Sequence, residues 1–216
     1  MIHDLGKSDS IISQYVSEIR DNEVQQDRLR FRRNLERIGA LLAHEVSKTL
    51  EWTDARVTTP LGTAKVRKLK SQPVVCSVLR AGLVMHDGIL GIFDHADSGF
   101  VSAYRKHDES GGFHIHLGYI TCPSVERRTL ILADTMLATG QSVVVALAEL
   151  LNQGTPSAVH VLTTIAATEG LSLVERSFPT AHIWAATIDE ELDERAYIVP
   201  GLGDAGDLAY GAKLQA

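Results

Sequence analysis

The sequence predicts an α/β fold in which a mostly parallel sheet is covered by helices on both faces. Three observations support this fold class. From residue 73 onward short apolar runs alternate with helical stretches, an amphipathic helix precedes them, and glycine- or proline-containing turns separate the elements. No repeat, low-complexity tract or linker divides the 216 residues, so we expect residues 1–216 to form a single domain.

The first seventy residues are predicted to be helical with a hairpin at their end. Five apolar residues recur at helical spacing and form one face of a helix: Phe31, Leu35, Ile38, Leu42 and Val46. This stripe is expected to pack against the core of the chain or against a second subunit. The stretch at 58–62, Thr-Thr-Pro-Leu-Gly, predicts a turn.

The remaining elements follow in alternation. The predicted strands are Val74–Leu79, Phe100–Tyr104, Thr129–Ala133, Val159–Ile165 and His182–Ile188, and the predicted helices are Val84–Ile92, Ser142–Asn152 and Glu169–Ser177. Phe113–Tyr119 alternates apolar and polar residues after a Gly-Gly turn, which predicts a protruding β-arm. Since open α/β sheets bind ligands beyond the carboxyl ends of their strands, the chemistry is expected there.

Composition excludes several classes of protein. With 44% hydrophobic and 22% charged residues, the chain is not disordered. It has no run of about 18 apolar residues and no secretory signal at its start, so we expect no membrane partner. Cys76 and Cys122 are too few and too far apart for a disulfide framework or a zinc site, which favours a reduced, cytoplasmic location.

The charge distribution argues against a nucleic-acid partner. Residues 1–72 carry 13 Lys and Arg against 10 Asp and Glu, whereas residues 73–216 carry 8 against 17. The dense basic run at 65–70 is either a solvated strand or a polyanion patch. His114 and His116 have zinc-like spacing but no third ligand nearby, which favours solvated histidines. The acidic run at 189–194 could attract magnesium, but a solvated acidic turn is the favoured interpretation, so we predict no protein-held metal.

The strongest local motif is the segment from Asp134 to Ser142. A buried strand ends in a carboxylate, a loop with hydroxyls and Gly140 follows, and a helix then begins. Free N–H groups at a helix N-terminus favour an anion, and glycine lets a phosphate approach the backbone. Asp134 would then accept from ribose hydroxyls, although an ordinary strand–loop–helix connection has the same pattern. The segment is neither a Walker loop nor a dinucleotide-binding loop.

Two arginines and a glycine-rich segment supply further candidates. Arg80 follows the strand at 74–79, and Arg105 follows the strand at 100–104, where an arginine meets either a carboxylate or an anionic ligand. The segment 197–207, Tyr-Ile-Val-Pro-Gly-Leu-Gly-Asp-Ala-Gly-Asp, exposes main-chain N–H and C=O groups that can read the edge of an amide–imide base. A plain C-terminal turn is the alternative.

Together these segments resemble the uracil phosphoribosyltransferase family, within the type I phosphoribosyltransferase group. The motifs that carry the resemblance are LRAGL at 79–83, DTMLATGQS at 134–142 and YIVPGLGDAGD at 197–207. The resemblance implies transfer of phosphoribosyl from 5-phosphoribosyl 1-diphosphate to uracil, with Mg²⁺ as cofactor. It also implies a C-terminal hood and a β-arm used in a homodimer or higher homo-oligomer.

The resemblance also implies roles for individual residues. Arg80 and Arg105 would bind the diphosphate, and Asp204 would face the donor and its magnesium ion. The ribose 5-phosphate would lie on Asp134, Thr135, Met136, Leu137, Ala138, Thr139, Gly140, Gln141 and Ser142. Uracil would be read mainly by main-chain groups at Ile198, Gly203, Asp204 and Ala205.

This sequence departs from the family pattern at three places. Thr135 stands where a proline is usual, Gln141 replaces a small residue, and 106–112 lacks an acidic run. Two other functions therefore remain open: an RNA-binding regulator that uses the basic run at 65–70, and a catalytically weak paralogue that senses a nucleotide. Activation by a purine nucleotide such as GTP is a further open question.

Overall fold

The N-terminal region supplies one edge strand, two helices and a separate ribbon. In the computed structural model, which describes residues 1–107 and 113–214 and side chains outside 103–117, these are β1 (Ile2–Asp4), α1 (Ile11–Arg20), α2 (Arg28–Ser47), β2 (Trp52–Thr59) and β3 (Gly62–Leu69). Ser10 caps α1, and Asp27 caps α2 by accepting from the N–H groups of Leu29 and Arg30. The predicted amphipathic helix is confirmed, because its apolar stripe is buried.

The rest of the chain alternates strands and helices as predicted. Its elements are β4 (Val74–Leu79), α3 (Gly82–Leu90), β5 (Asp97–His107), β6 (Phe113–Thr121), β7 (Thr129–Ala133), β8 (Met136–Leu137), α4 (Gln141–Leu151), β9 (Ala158–Ala167), α5 (Thr168–Ser177), β10 (His182–Asp189), β11 (Glu191–Leu192), β12 (Ile198–Val199) and α6 (Ala205–Tyr210). The main sheet runs in the order β1-β10-β9-β7-β4-β5-β6, with β8 beside β9. All its pairs are parallel except β5 with β6.

The predicted arm is an edge strand of this sheet. β6 pairs antiparallel with β5 from Phe100–Thr121 to His107–Phe113. The pairing of β4 with β5 ends at Leu79 and Ser102, whereas the pairing of β5 with β6 continues to His107 and Phe113, so these two strands extend beyond β4. A second ribbon, formed by β2 and β3, pairs outside the main sheet and agrees with the hairpin predicted around 58–62.

Helices pack on both faces of the sheet, which confirms the predicted fold class. Alternate residues of a strand point to opposite faces. Val75 and Ile131 join the core formed with α1, α2 and α3, whereas Cys76 and Leu130 join the core formed with α4 and α5. Among the helices in the described residues, none is long and apolar enough to span a membrane.

Candidate active site

Two strand ends meet at the carboxyl edge of the sheet. β4 leads into Arg80, and its neighbour β7 leads into Asp134. A Cβ at Gly82 would lie 2.6 Å from the Ala133 carbonyl oxygen and 3.6 Å from the Asp134 Cα, so only glycine fits this contact. The segments predicted from separate stretches of sequence are therefore in direct contact.

The loop between β7 and α4 presents a helix N-terminus at this edge. Gly140 adopts a φ of 81°, and a Cβ there would lie 2.8 Å from the Gly170 carbonyl oxygen, so this position needs glycine. The capping glycine has no side chain to accept from α4, and the Gln141 N–H reaches Thr139 Oγ1 only at 3.5 Å. The first-turn N–H groups, which have no intrahelical acceptor, and the helix dipole together favour an anion.

Asp134 and Thr135 lie at the start of this loop in different environments. Burial raises the pKa of the Asp134 carboxyl to about 7, although the N–H groups of Met136 and Thr135 oppose the shift. The Thr135 side chain is buried, and its Oγ1 has no hydrogen-bond partner within the described residues. Its carbonyl oxygen accepts from the N–H groups of Thr164 and Ile165. Thr135 therefore faces the protein interior.

Arg80 joins the strand end to the C-terminal segment. Its Nη2 donates to Asp207 Oδ1 at 2.8 Å, and its Nη1 donates to the Gly211 carbonyl oxygen at 3.2 Å. The Arg80 side chain remains 41% exposed, so a ligand can still reach it. The peptide bond that precedes Arg80 is cis.

Asp204 caps helix α6 and carries a charge partner. Its Oδ1 accepts from the Asp207 N–H at 3.0 Å, and its Oδ2 accepts from Lys213 Nζ at 2.9 Å. Desolvation alone would raise the pKa of the Asp204 carboxyl. The hydrogen bonds from Lys213 and from the main-chain N–H groups of Asp207 and Gly206 outweigh it, so the pKa is lowered. A carboxylate that stays ionised at neutral pH results.

The glycine-rich segment lies beside Arg80 at this end of the sheet. Ile198 is buried in β12, which pairs with β11, and Ala205 is buried at the start of α6. Gly203 has a φ of 94°, and a Cβ built there would meet nothing within 4 Å. A cleft of about 420 Å³ is lined by Gly203, Asp204 and Asp207 of this segment and by residues of the α1–α2 connection, among them Asn22 and Gln26.

An ion pair outside the predicted site holds the middle of the glycine-rich segment. Arg20 at the end of α1 binds both carboxylate oxygens of Asp189, at 2.6 and 2.8 Å. Asp189 Oδ2 accepts from the Gly201 N–H at 2.9 Å, and Arg20 Nη1 donates to the Gly201 carbonyl oxygen at 2.9 Å. The interpretation of 189–194 as a solvated acidic turn is therefore wrong for Asp189, which is buried at the end of β10.

The predicted site residues divide into three groups. Arg80 contacts the glycine-rich segment at Asp207, and Gly82 contacts the strand end at Asp134, where the loop to Ser142 begins. Within that loop the side chains of Thr135 and Leu137 are buried. The side chain of Arg105, in β5, is outside the described residues, so its assignment stays a prediction. The same holds for His114 and His116 in β6, which are interpreted as solvated histidines and not as metal ligands.

The carboxylates of the site fit a magnesium ion that arrives with phosphates. No group of three or more His, Cys, Asp or Glu that could hold a metal exists among the residues that the structure describes. Asp204 and Asp207, close to Arg80, offer hard oxygen donors. Mg²⁺ is usually bound by one or two carboxylates together with substrate phosphates, so this donor set is suitable.

Sequence reasoning missed the partners of the predicted residues. Asp207, Lys213, Arg20 and Asp189 each hold a predicted residue or its neighbour in place. The only available signal was Asp207 in the motif at 197–207, since long-range ion pairs leave no local pattern.

Known proteins resemble this chain over nearly its whole length. A family model described as uracil phosphoribosyltransferase matches residues 7–212. A uracil phosphoribosyltransferase of Porphyromonas gingivalis is 46% identical over 215 residues, which cover 99% of each chain. One of Thermococcus gammatolerans is 38% identical and covers 94% of this chain and 91% of its own. The solved structure of the AQ2163 protein from Aquifex aeolicus superposes with a TM-score of 0.88 at 32% identity, over 99% of this chain and 100% of that chain.

Proposed function

The chain belongs to the uracil phosphoribosyltransferase family, and from that premise we propose that it transfers phosphoribosyl from 5-phosphoribosyl 1-diphosphate to uracil. The products are UMP and diphosphate, and the reaction serves pyrimidine salvage. The observation that carries the proposal is the Arg80–Asp207 ion pair, because it joins an anion-binding strand end to the glycine-rich segment.

The donor would bind across the two strand ends. Its 5-phosphate would accept from the first-turn N–H groups of α4, beside the hydroxyls of Thr139 and Ser142. Asp134, once ionised, would accept from the ribose hydroxyls. The diphosphate would accept from Arg80, displacing Asp207 from the guanidinium, and from Arg105.

Uracil would be bound by main-chain groups of the glycine-rich segment at 198–205. Ile198, Gly203 and Ala205 belong to a segment whose N–H and C=O groups are not committed to a long sheet ladder. An amide–imide edge presents donors and acceptors in a fixed order, so main-chain groups in a fixed order can distinguish uracil from cytosine. Placement of uracil against the anomeric carbon would supply much of the rate enhancement.

Departure of the diphosphate requires electrostatic stabilisation. The transition state has oxocarbenium character, and charge accumulates on the leaving group. Arg80 and Arg105 would stabilise that charge, and the ionised Asp204 would face the positive anomeric region or the metal. When bound, Mg²⁺ would neutralise part of the diphosphate charge, with Asp204 as its protein ligand. No residue here needs to act as a covalent nucleophile.

The RNA-binding alternative receives little support from the basic run. The run covers the end of β3 and the residue that follows it; Arg67 pairs with Asp54 at 3.3 Å, and Lys70 pairs with Glu51 at 2.7 Å. These carboxylates partly neutralise the face that a polyanion would need. A homo-oligomer that uses the arm formed with β6 and a cytoplasmic location complete the proposal. The β2–β3 ribbon offers a second apolar surface for such an assembly, since its Trp52 and Leu61 are exposed.

Product identification tests the proposal directly. Purified protein is incubated with 5-phosphoribosyl 1-diphosphate, Mg²⁺ and labelled uracil, and nucleotides are separated by chromatography. Labelled UMP that appears only when all components are present supports the proposal. Donor binding without UMP would instead support the nucleotide-sensing paralogue, for which Thr135→Pro and Gln141→Ala would be the variants to test for recovery.

A further inference from the structure

We infer that Arg20 and Asp189 are positioning residues that set the conformation of the uracil-reading segment, defined as 198–205. The inference rests on the proposed function, because it concerns how that segment acts on uracil. Neither residue belongs to the motifs that resemble the family, and both lie outside the strand-end loops. Their contacts with Gly201 carry the argument.

Both main-chain polar groups of Gly201 are held by this one ion pair. The N–H donates to Asp189 Oδ2 at 2.9 Å, and the carbonyl oxygen accepts from Arg20 Nη1 at 2.9 Å. The second guanidinium nitrogen of Arg20 binds Asp189 Oδ1 at 2.6 Å. Because a planar guanidinium and a carboxylate lock each other in two-point contact, the orientation of the Gly201 peptide groups is fixed as well.

Apolar side chains anchor the segment on either side of Gly201, since Ile198 and Leu202 are buried, but the orientation of the Gly201 peptide groups depends on their hydrogen bonds. Gly201 adopts a φ of 52°, and a Cβ there would lie 2.1 Å from the Ile198 carbonyl oxygen, so the chain makes a tight turn. Two residues later, Gly203 has open space around it. Glycines have the widest choice of backbone conformations, so a reading edge built on them needs order imposed from outside.

The ion pair is mounted on two rigid elements. Arg20 is the last residue of α1, whose inner face is buried through Ile12, Val16 and Ile19. Asp189 is the last residue of β10, which is paired with β9 along its length up to Asp189 itself. Asp189 is buried, and a buried carboxylate that loses its cation is strongly unfavourable, so the pair stays closed.

A merely structural role predicts a different kinetic pattern from a positioning role. If the pair only stabilised the fold, its loss would reduce the folded fraction and lower kcat for all substrates, with KM values unchanged. If it sets the reading edge, its loss raises KM for uracil and leaves KM for the donor unchanged. The donor's phosphates bind at the strand ends, and Asp204, the residue of the segment that faces the donor, is held separately by Lys213 and the Asp207 N–H.

The experiment compares three variants with the unmodified protein. Arg20→Lys keeps the charge but loses the two-point contact, and Asp189→Asn keeps the shape but loses the charge. Arg30→Lys is the matched control, since Arg30 on α2 pairs with Glu18 of helix α1 and its own side chain is 55% exposed. For each protein KM for uracil, KM for 5-phosphoribosyl 1-diphosphate, kcat, the uracil-to-cytosine rate ratio and thermal unfolding are measured.

We expect KM for uracil to rise about tenfold in Arg20→Lys and Asp189→Asn, the change that the loss of one charge-assisted hydrogen bond produces. KM for the donor should stay within about twofold, and Arg30→Lys should match the unmodified protein. Equal changes in both KM values, or a fall in kcat alone, would overturn the inference.

Amide hydrogen exchange separates failure of the inference from failure of the proposed function. Exchange of the peptide that covers 198–207 should accelerate in both variants of the pair and not in Arg30→Lys, whether or not the protein makes UMP. If the unmodified protein makes no UMP but exchange accelerates, the function is wrong and the ion pair still orders the segment. Unchanged exchange in both variants refutes the positioning role.

Discussion

Replacing Asp204 with asparagine separates the chemistry of this residue from its structural role. Asparagine caps a helix as well as aspartate does, so the bond from the Asp207 N–H to the cap is retained. The lost ion pair with Lys213 is partly exposed, at 25% and 48% of the two side chains, and contributes at most about 1 kcal/mol to stability. The free energy of unfolding should therefore fall by about 1 kcal/mol or less.

Turnover should fall far more than stability does. The pKa of Asp204 is lowered, so the unmodified protein carries this negative charge throughout the working pH range, and the variant never does. Loss of one preorganised electrostatic group at a reacting centre reduces kcat on the order of 100-fold. UMP formation at saturating uracil and donor, together with urea unfolding, measures both quantities.

A matched substitution guards against a general effect of asparagine. Asp27→Asn changes the cap of α2 in the same way, at an exposed position whose side chain does not line the cleft beside Asp204, and should leave kcat unchanged. Turnover of Asp204→Asn within about twofold of the unmodified protein would remove Asp204 from the reacting centre and refute the reasoning.

Three further predictions follow from the strand-end loop and Arg80. The raised pKa of Asp134 means that its neutral form is favoured in the folded state. The free energy of unfolding of the unmodified protein, relative to that of Asp134→Asn, should therefore decrease as pH rises from about 4 to about 7. Donor affinity should increase over the upper part of that range, and both trends should be lost in the variant. Gly140→Ala should lower stability by about 1–2 kcal/mol and weaken donor binding, because alanine at a φ of 81° is strained and its Cβ meets Gly170; unaltered donor KM would contradict this. Arg80→Gln should raise KM for the donor more than KM for uracil. Asp207→Asn removes the carboxylate that binds the Arg80 guanidinium, so it should not raise KM for the donor in this way. Equal effects on both KM values in Arg80→Gln would exclude diphosphate binding by Arg80.

The alternation of elements was predictable because it depends on local patterns. The strand at 129–133 matches β7 without change, and the helices at 142–152 and 169–177 begin one residue late. β1 and β12 were missed, since strands of two or three residues carry no periodicity and form only because β10 and β11 offer a partner.

The site was predictable to the extent that its residues follow strand ends. Arg80 and the loop at 134–142 were found from that position alone, and the sheet topology then brought them together. Burial of Thr135 and the pairing of Asp189 with Arg20 depend on residues far apart in the sequence. An acidic run such as 189–194 has the same composition whether its first residue is solvated or buried.

The selectivity of diphosphate release tests the central claim most directly. The protein is given 5-phosphoribosyl 1-diphosphate and Mg²⁺, with uracil, cytosine or hypoxanthine as acceptor, and diphosphate is measured over time. We predict rapid release with uracil and none above background with the other two bases, because main-chain groups of the segment at 198–205 read the uracil edge. Equal release with hypoxanthine, or none with uracil while the donor binds, would contradict the account.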